Sequence, residues 1–257
     1  MINTTDIIEY MNKRCPESLA EVWDNVGLLI GRADKDIKKV LLTLDVDLDV
    51  AREAIKNEVD MIISHHPVIF NPLKSITDQD KEGKMIYELI KNDISVYSAH
   101  TNLDVANGGL NDYAAKLLGI TIEGKLCDET SLGRYGYFDK EYTLNDILKL
   151  CKNIFKNDIL KFVGDKNKII KKVAIVTGSG MSEIDKCYEK DVDLFITGDV
   201  KYSGAREGYQ KGLSIIDAGH YGTEIIVVDL LYDILNEQFP TVEFIKTVNN
   251  TNIFDTI

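Results

Sequence analysis

The chain has 257 residues, 44% hydrophobic and 28% charged, which suffices for one large domain or two small lobes with real cores. Lys and Arg total 30 against 42 Asp and Glu, a net charge of -12. Such a field repels phosphate backbones and argues against nucleic-acid binding driven by counterion release, while leaving room for a small anionic substrate held by a metal. No apolar run approaches the roughly 18–20 residues of a membrane span. The N-terminus, MINTTDIIEYMNKRCPES, lacks a basic stretch followed by an apolar one, so the expectation is a cytoplasmic protein without membrane partners.

Residues 3–15 read as a helix started by Thr4 or Thr5, followed by the loop SLAEVWDNVGLLIGR, which holds the single tryptophan, Trp23. A strand at 40–46 and a helix at 49–57 come next. They are followed by a strand before His65, a helix at 84–91, a strand before His100 and a helix at 110–118. In the region 125–170 the segment YTLNDILKLCKNIF reads as a helix with Thr143 or Asn145 at its start. From Lys172 the alternation resumes with strand VAIVTG, a helix at 183–189, strand LFITGD, a helix at 204–210 and strand LSIID. A long helix at 223–235 and a last strand, VEFIK, complete the chain. Strands alternating with helices argue for an α/β fold with mostly parallel pairing.

The chain also repeats itself. Residues 37–67 lie over residues 170–200 at a constant offset of 133 without gaps, with seven of 31 positions identical. The expected fold is therefore two similar three-layer α/β/α lobes from a β-α-β duplication, with a metal site in the cleft between them. The first lobe is expected over 1–124, completed by part of the C-terminal segment 220–257, and the second over 125–219.

The four cysteines, Cys15, Cys127, Cys151 and Cys187, form no C-x-x-C pair and read as buried thiols. The four histidines are not scattered. They fall in three motifs, SHHP (His65, His66), SAHTNLD (His100) and DAGHYGTE (His220), each after a short β-branched run. In open α/β sheets, ligands bind at the carboxyl ends of strands. Two of the motifs place an acid four residues after the histidine, Asp104 after His100 and Glu224 after His220. Neutral imidazoles with carboxylates suit Zn, Fe, Mn or Co better than Ca or Mg. His65 and His66, diverging at a strand end next to Pro67, can reach two neighbouring ions, which a carboxylate can bridge. His100 is either a proton donor lining the pocket or a partner that supports the ligands.

Other segments allow two readings each. TGSGM (177–181) either presents N–H groups to a phosphate or is a plain tight turn. Lys201, Tyr202 and Arg206 either add positive charge to the cleft or form an exposed helix start. Asp24 and Asn25 either hydrogen-bond the site or form a turn. Asp45, Asp47 and Asp49 read as caps of the following helix.

Five blocks in order, WDNVGLLIG, ISHHPVIF, VYSAHTNLDVANGGLND, FITGDVKY and IDAGHYGTE, closely resemble the dinuclear-metal proteins called GTP cyclohydrolase 1 type 2 homologues, the Nif-three-like family. The resemblance runs from about residue 4 to 250 and is to the family's short form. It implies two facing α/β lobes and a toroidal homohexamer, a trimer of dimers. It also implies two divalent ions per chain, Zn, Fe or Mn, on His65, His66, Asp104, His220 and Glu224, leaving His100 as a non-ligand pocket residue. Ser203 stands where many members carry a histidine. The family name implies ring-opening hydrolysis of GTP or a related nucleotide by a metal-bound hydroxide attacking C8 of guanine. A phosphoesterase or amidohydrolase using the same ions, and a metal-carrying scaffold, are the alternatives.

Overall fold

The computed structural model describes residues 1–254 and forms two α/β units. The first comprises Met1–Ala106 together with the segment beginning at Val227, and the second Asn107–Ile226. In chain order the first unit holds α1 (Thr4–Arg14), β1 (Gly27–Ile30), β2 (Lys39–Thr43), α2 (Leu48–Lys56), β3 (Met61–Ser64), α3 (Lys81–Lys91), β4 (Ser95–Ser98) and α4 (Thr101–Val105). The second holds α5 (Leu110–Leu117), β5 (Ile120–Lys125), β6 (Arg134–Thr143), α6 (Leu144–Phe155), β7 (Lys161–Val163), β8 (Ile169–Ile175), α7 (Ile184–Glu189), β9 (Leu194–Thr197), α8 (Tyr202–Lys211), β10 (Ser214–Asp217) and α9 (His220–Glu224). The chain then returns to the first unit with α10 (Val227–Gln238) and β11 (Glu243–Lys246).

The first sheet has the order β1-β4-β3-β2-β11, parallel except for β1, which runs antiparallel to β4. Its central strands β2, β3 and β4 are buried at every position but Lys39, with apolar residues in their middles, because both faces are covered. Leu41, Ile62 and Val96 pack against Val50, Ala51 and Ala54 of α2 and Met85, Ile86 and Leu89 of α3. The alternate residues Val40, Leu42, Met61 and Ile63 are equally buried, and α10 lies against β2 on the way to β11. The second sheet has the order β5-β6-β8-β9-β10-β7 and is mixed: β8, β9 and β10 are parallel, while β5, β6 and β7 join antiparallel.

The units divide the chain at 106/107 and 226/227, whereas the sequence pattern suggested 124/125 and 219/220. The helix α5 packs against β5, β6 and β8 and so belongs with the second sheet. His220 and Glu224 sit on α9, directly after β10, and stay with that strand. Only from Val227 does the chain pack on β2.

The offset of 133 is a structural identity as well. Val40 pairs with Met61 and Leu42 with Ile63 in the first sheet, and Val173 with Leu194 and Ile175 with Ile196 in the second. The Asp60 carboxylate accepts the backbone N–H of Lys38 and Lys39, and the Asp193 carboxylate those of Lys171 and Lys172. The Lys35 ammonium donates to the Asp60 and Asp93 carbonyls, as Lys168 does to those of Asp193 and Gly212. The same side chains thus tie the start of the first strand to its neighbour in both units.

Helix starts follow local chemistry. Asn3 and Thr143 close reciprocal capping boxes with Asp6 and Asp146, and Asp47 and Asp80 cap α2 and α3. The first cap is Asn3, one residue before the expected Thr4. The expected long helix at 223–235 is two helices, α9 and α10, divided at Ile225 and Ile226. Removing the Asp193 acceptor takes away the partner of two strand N–H groups, the exposed one of Lys171 and the half-buried one of Lys172. Asp193→Ala is therefore expected to lower stability by about 1–3 kcal/mol, read from the urea unfolding midpoint.

Candidate metal centre

In the first unit the site is built where β2, β3 and β4 end. His65 and His66 follow β3, and their peptide is pinned: the His65 N–H donates to the Thr43 carbonyl, and the His66 N–H to that of Leu44. Ser64 Oγ donates to the His66 carbonyl at 2.8 Å. His65 is fully buried, with Nδ1 2.8 Å from the Ala99 carbonyl at the end of β4. A carbonyl only accepts, so Nδ1 carries the proton and Nε2 the lone pair. His66 Nδ1 lies 2.7 Å from Asp45 Oδ1, just past the end of β2, with the same consequence.

His100 follows β4 and begins α4, so Asp104 lies one helical turn on; its N–H donates to the His100 carbonyl at 3.0 Å. This is the i, i+4 spacing that places two side chains on one helix face. His65 Nε2 stands 3.6 Å from Asp104 Oδ1, both in buried residues. That is the separation of two ligands of one ion, since ligands about 2.1 Å from a tetrahedral metal lie about 3.4 Å apart. Ligand atoms of His65, His66 and His100 lie within 4.8 Å of one another. Distance alone thus leaves His100 in the cluster with the two expected ligands.

His100 is held from its other side by the loop after α1. Asp24 Oδ1 accepts from His100 Nδ1 at 2.9 Å, and Oδ2 accepts from the Thr101 N–H at 3.1 Å and from the Thr101 hydroxyl. Burial of the Asp24 carboxylate opposes its ionisation, but these donors outweigh it and hold the pKa down to about 2. Asp24 is therefore ionised and accepts, which keeps the His100 proton on Nδ1 and turns Nε2 toward the cluster.

In the second unit the equivalent strand ends carry Gly178 after β8, Asp199 after β9 and His220 after β10. His220 Nδ1 is 2.7 Å from Asp199 Oδ2, and its Nε2 is 2.9 Å from Glu224 Oε2, one turn along α9. The Glu224 hydrogen bond, against the cost of desolvation and together with Asp199, raises the His220 pKa to about 9. The surroundings therefore favour positive charge here. Glu224 is buried beneath Gly178, whose φ is +65°. A Cβ at Gly178 would collide with Glu224 Oε1 and come within 3.3 Å of His220 Nε2.

This fit accounts for TGSGM. The N–H groups of Thr177, Gly178 and Gly180 donate to Asn111 Oδ1, Thr223 Oγ1 and Thr197 Oγ1. Those three donors are spent inside the protein, and the loop serves close approach to the His220–Glu224 pair. Lys201, Tyr202 and Arg206 are exposed at the start of α8. Asn25 joins the loop after α1 to the one after His66, its Nδ2 donating to the Ile69 carbonyl.

Sequence reasoning assigned Asp45 to helix capping and passed over Asp199. The structure gives capping to Asp47 alone of the three aspartates and sets Asp45 on His66. A signal was present: Asp45 and Asp199 each lie 21 residues before the histidine they hold. That spacing is one strand-helix-strand step.

The sequence pattern of the family Duf34/NIF3 (NGG1p interacting factor 3) matches residues 2–253. A GTP cyclohydrolase 1 type 2 homolog of Clostridium perfringens is 38% identical over 259 residues, covering 98% of both chains. Among solved structures, a Bacillus cereus protein related to NIF3 superposes with a TM-score of 0.91 at 26% identity, over 100% of this chain and 99% of that one. A Staphylococcus aureus hypothetical protein gives 0.91 at 30% identity over 99% of each.

Two outcomes follow from this geometry. A carboxyl group whose pKa is depressed stabilises the fold above its ordinary value, 3.8, and loses that contribution as pH falls toward 2. Wild type should exceed Asp24→Asn in stability by on the order of 2 kcal/mol at neutral pH, and denaturant titrations should show the gap closing as pH falls from about 4 to 2. Gly178→Ala forces a side chain against Glu224 at a positive φ. It should cost about 1 kcal/mol or more of stability, read from the urea unfolding midpoint.

Proposed function

Because this chain belongs to the Duf34/NIF3 family, we propose that it is a metal-dependent hydrolase acting on GTP or a related nucleotide, with two divalent ions per chain. The observation that carries this reading is that all four imidazoles have Nδ1 held by an oxygen, at 2.7–2.9 Å, so that each Nε2 is aimed by the protein. A ring held in this way is the usual preparation of a histidine ligand. The name of the Clostridium perfringens homologue supports the substrate class, and its near-complete overlap with this chain supports carrying it over.

His65, His66, Asp104, His220 and Glu224 would hold the ions. The buried carboxylates offset charge that apolar surroundings alone would not admit. Bound divalent ions supply a Lewis acid and make a nucleophilic water available near neutral pH. The residues of the chain do the rest. Asp24 keeps the proton of His100 on Nδ1, so Nε2 is free to take a proton from the attacking water and return it to the opening ring. Thr101 fixes Asp24 on its other oxygen and prevents the carboxylate from turning away. Asp45 and Asp199 orient His66 and His220. The homohexamer implied by the sequence resemblance belongs to the same proposal. Among the described residues no helix is long and apolar enough to cross a membrane.

The test begins with metal content in protein purified without chelator or histidine tag. About two ions per chain are expected, falling to about one or fewer in Glu224→Gln. GTP carrying isotope at C8 is then supplied to the loaded protein. Release of the label as formate is expected. Two ions with all label retained in the nucleotide would remove GTP ring opening, and far less than one ion after loading with Zn, Mn and Fe(II) would remove the metal reading and favour a scaffold.

A further inference from the structure

Trp23 and Phe70 are large aromatic side chains left 59% and 49% exposed, and they stand together. Their ring centroids are 5.9 Å apart with planes inclined by 49°. Both present themselves edge-to-face to His100, at 6.1 Å for Trp23 and 6.5 Å for Phe70. His100 in turn lies 5.1 Å from the ring of His65 and 5.5 Å from that of His66. Two exposed aromatic faces thus border the imidazole cluster.

The two rings are held in place by the polar residues next to them. Asp24, adjacent to Trp23, is locked to His100 and Thr101, and Asn25 donates to the Ile69 carbonyl, adjacent to Phe70. In Trp23-Asp24-Asn25, the second residue ties the indole to the histidine cluster and the third ties it to the loop of Phe70. Leaving two aromatic faces in water forfeits the burial each would contribute in a core, yet both loops spend their hydrogen bonds on keeping the faces there. An inclined pair of π-faces, with anchoring polar groups already committed, suits a flat ring stacked on one face and touching the edge of the other.

We propose that Trp23 and Phe70 form a stacking platform that receives a planar heteroaromatic ring and sets it beside His100. This rests on the hydrolase reading above and narrows it. The ring, more than the phosphate, would be the part of the substrate bound at this edge of the site, which is where a ring-opening reaction needs it.

Trp23 is the only tryptophan of the chain, so its emission reports on the platform directly. The full-length protein is titrated with guanosine, adenosine and cytidine, and with ribose 5-phosphate and inorganic phosphate as ring-free controls. Excitation is at the red edge of the indole band, where nucleosides do not absorb. At least one nucleoside should quench Trp23 saturably, and the controls should not. Phe70→Leu should weaken that binding about fivefold or more, and Phe70→Tyr, which keeps the ring, should restore it. Metal content measured on the same samples separates the two readings. Saturable quenching without bound metal would keep the platform and remove the metal-dependent hydrolase. Full metal with no saturable quenching by any nucleoside would overturn the platform. An emission that is blue-shifted and shielded from acrylamide, and becomes accessible on dilution, would overturn it too, by showing the two rings covered by a second copy of this chain.

Discussion

The site depends on the register of parallel strands. In each sheet three neighbouring parallel strands end level with one another, so the first residues beyond them meet across the strand spacing. Asp45 reaches His66, the Ala99 carbonyl reaches His65, and Asp199 reaches His220 only because of that alignment. A slip of one residue would turn each side chain to the other face and uncouple His65, His66 and His220 from the oxygens that hold their Nδ1 atoms. The apolar strands buried on both faces therefore do more than form a core. They set the positions of polar groups that the hydrophobic effect alone could not place.

The duplication shows what was kept and what diverged. The lysine and aspartate that bind the start of the first strand recur as Lys35 and Asp60, then Lys168 and Asp193. Even the left-handed turn that ends the first helix recurs, at Glu58 and at Asp191. At the carboxyl ends the same positions exchange chemistry. The place of Asp45 is taken by Gly178, and that of His66 by Asp199. The first unit sets an imidazole after its middle strand and a carboxylate after its first. The second sets the carboxylate after its middle strand and the imidazole, His220, after its third. With glycine at the first-strand position, Glu224 has room to lie against His220.

Much of this was legible beforehand, and the reasons can be named. Helices announced themselves through caps and apolar stripes, as in α6 behind Thr143, because those signals act within a few residues. The histidine motifs stood out because each follows a β-branched run. The strands β1, β5 and β6 were not recognised. Each pairs antiparallel with its neighbours, and their partly exposed faces lack the continuous apolar run that marks a central strand. The break between α9 and α10 was hidden because no glycine or proline marks it in the run from Thr223 to Leu235, and only the packing of α10 on β2 shows where the second helix begins.

The sequence by itself determined the α/β class, the duplication, the family and which histidines and acids are candidates for a site, since these depend on composition, periodicity and short motifs. Only the tertiary structure decided which oxygen holds each histidine, that Gly178 makes room for Glu224, and that Trp23 and Phe70 stand side by side at the edge of the cluster. Those facts rest on contacts between residues distant in sequence. Their geometry comes from strand register and loop anchoring, which no local pattern of side chains encodes.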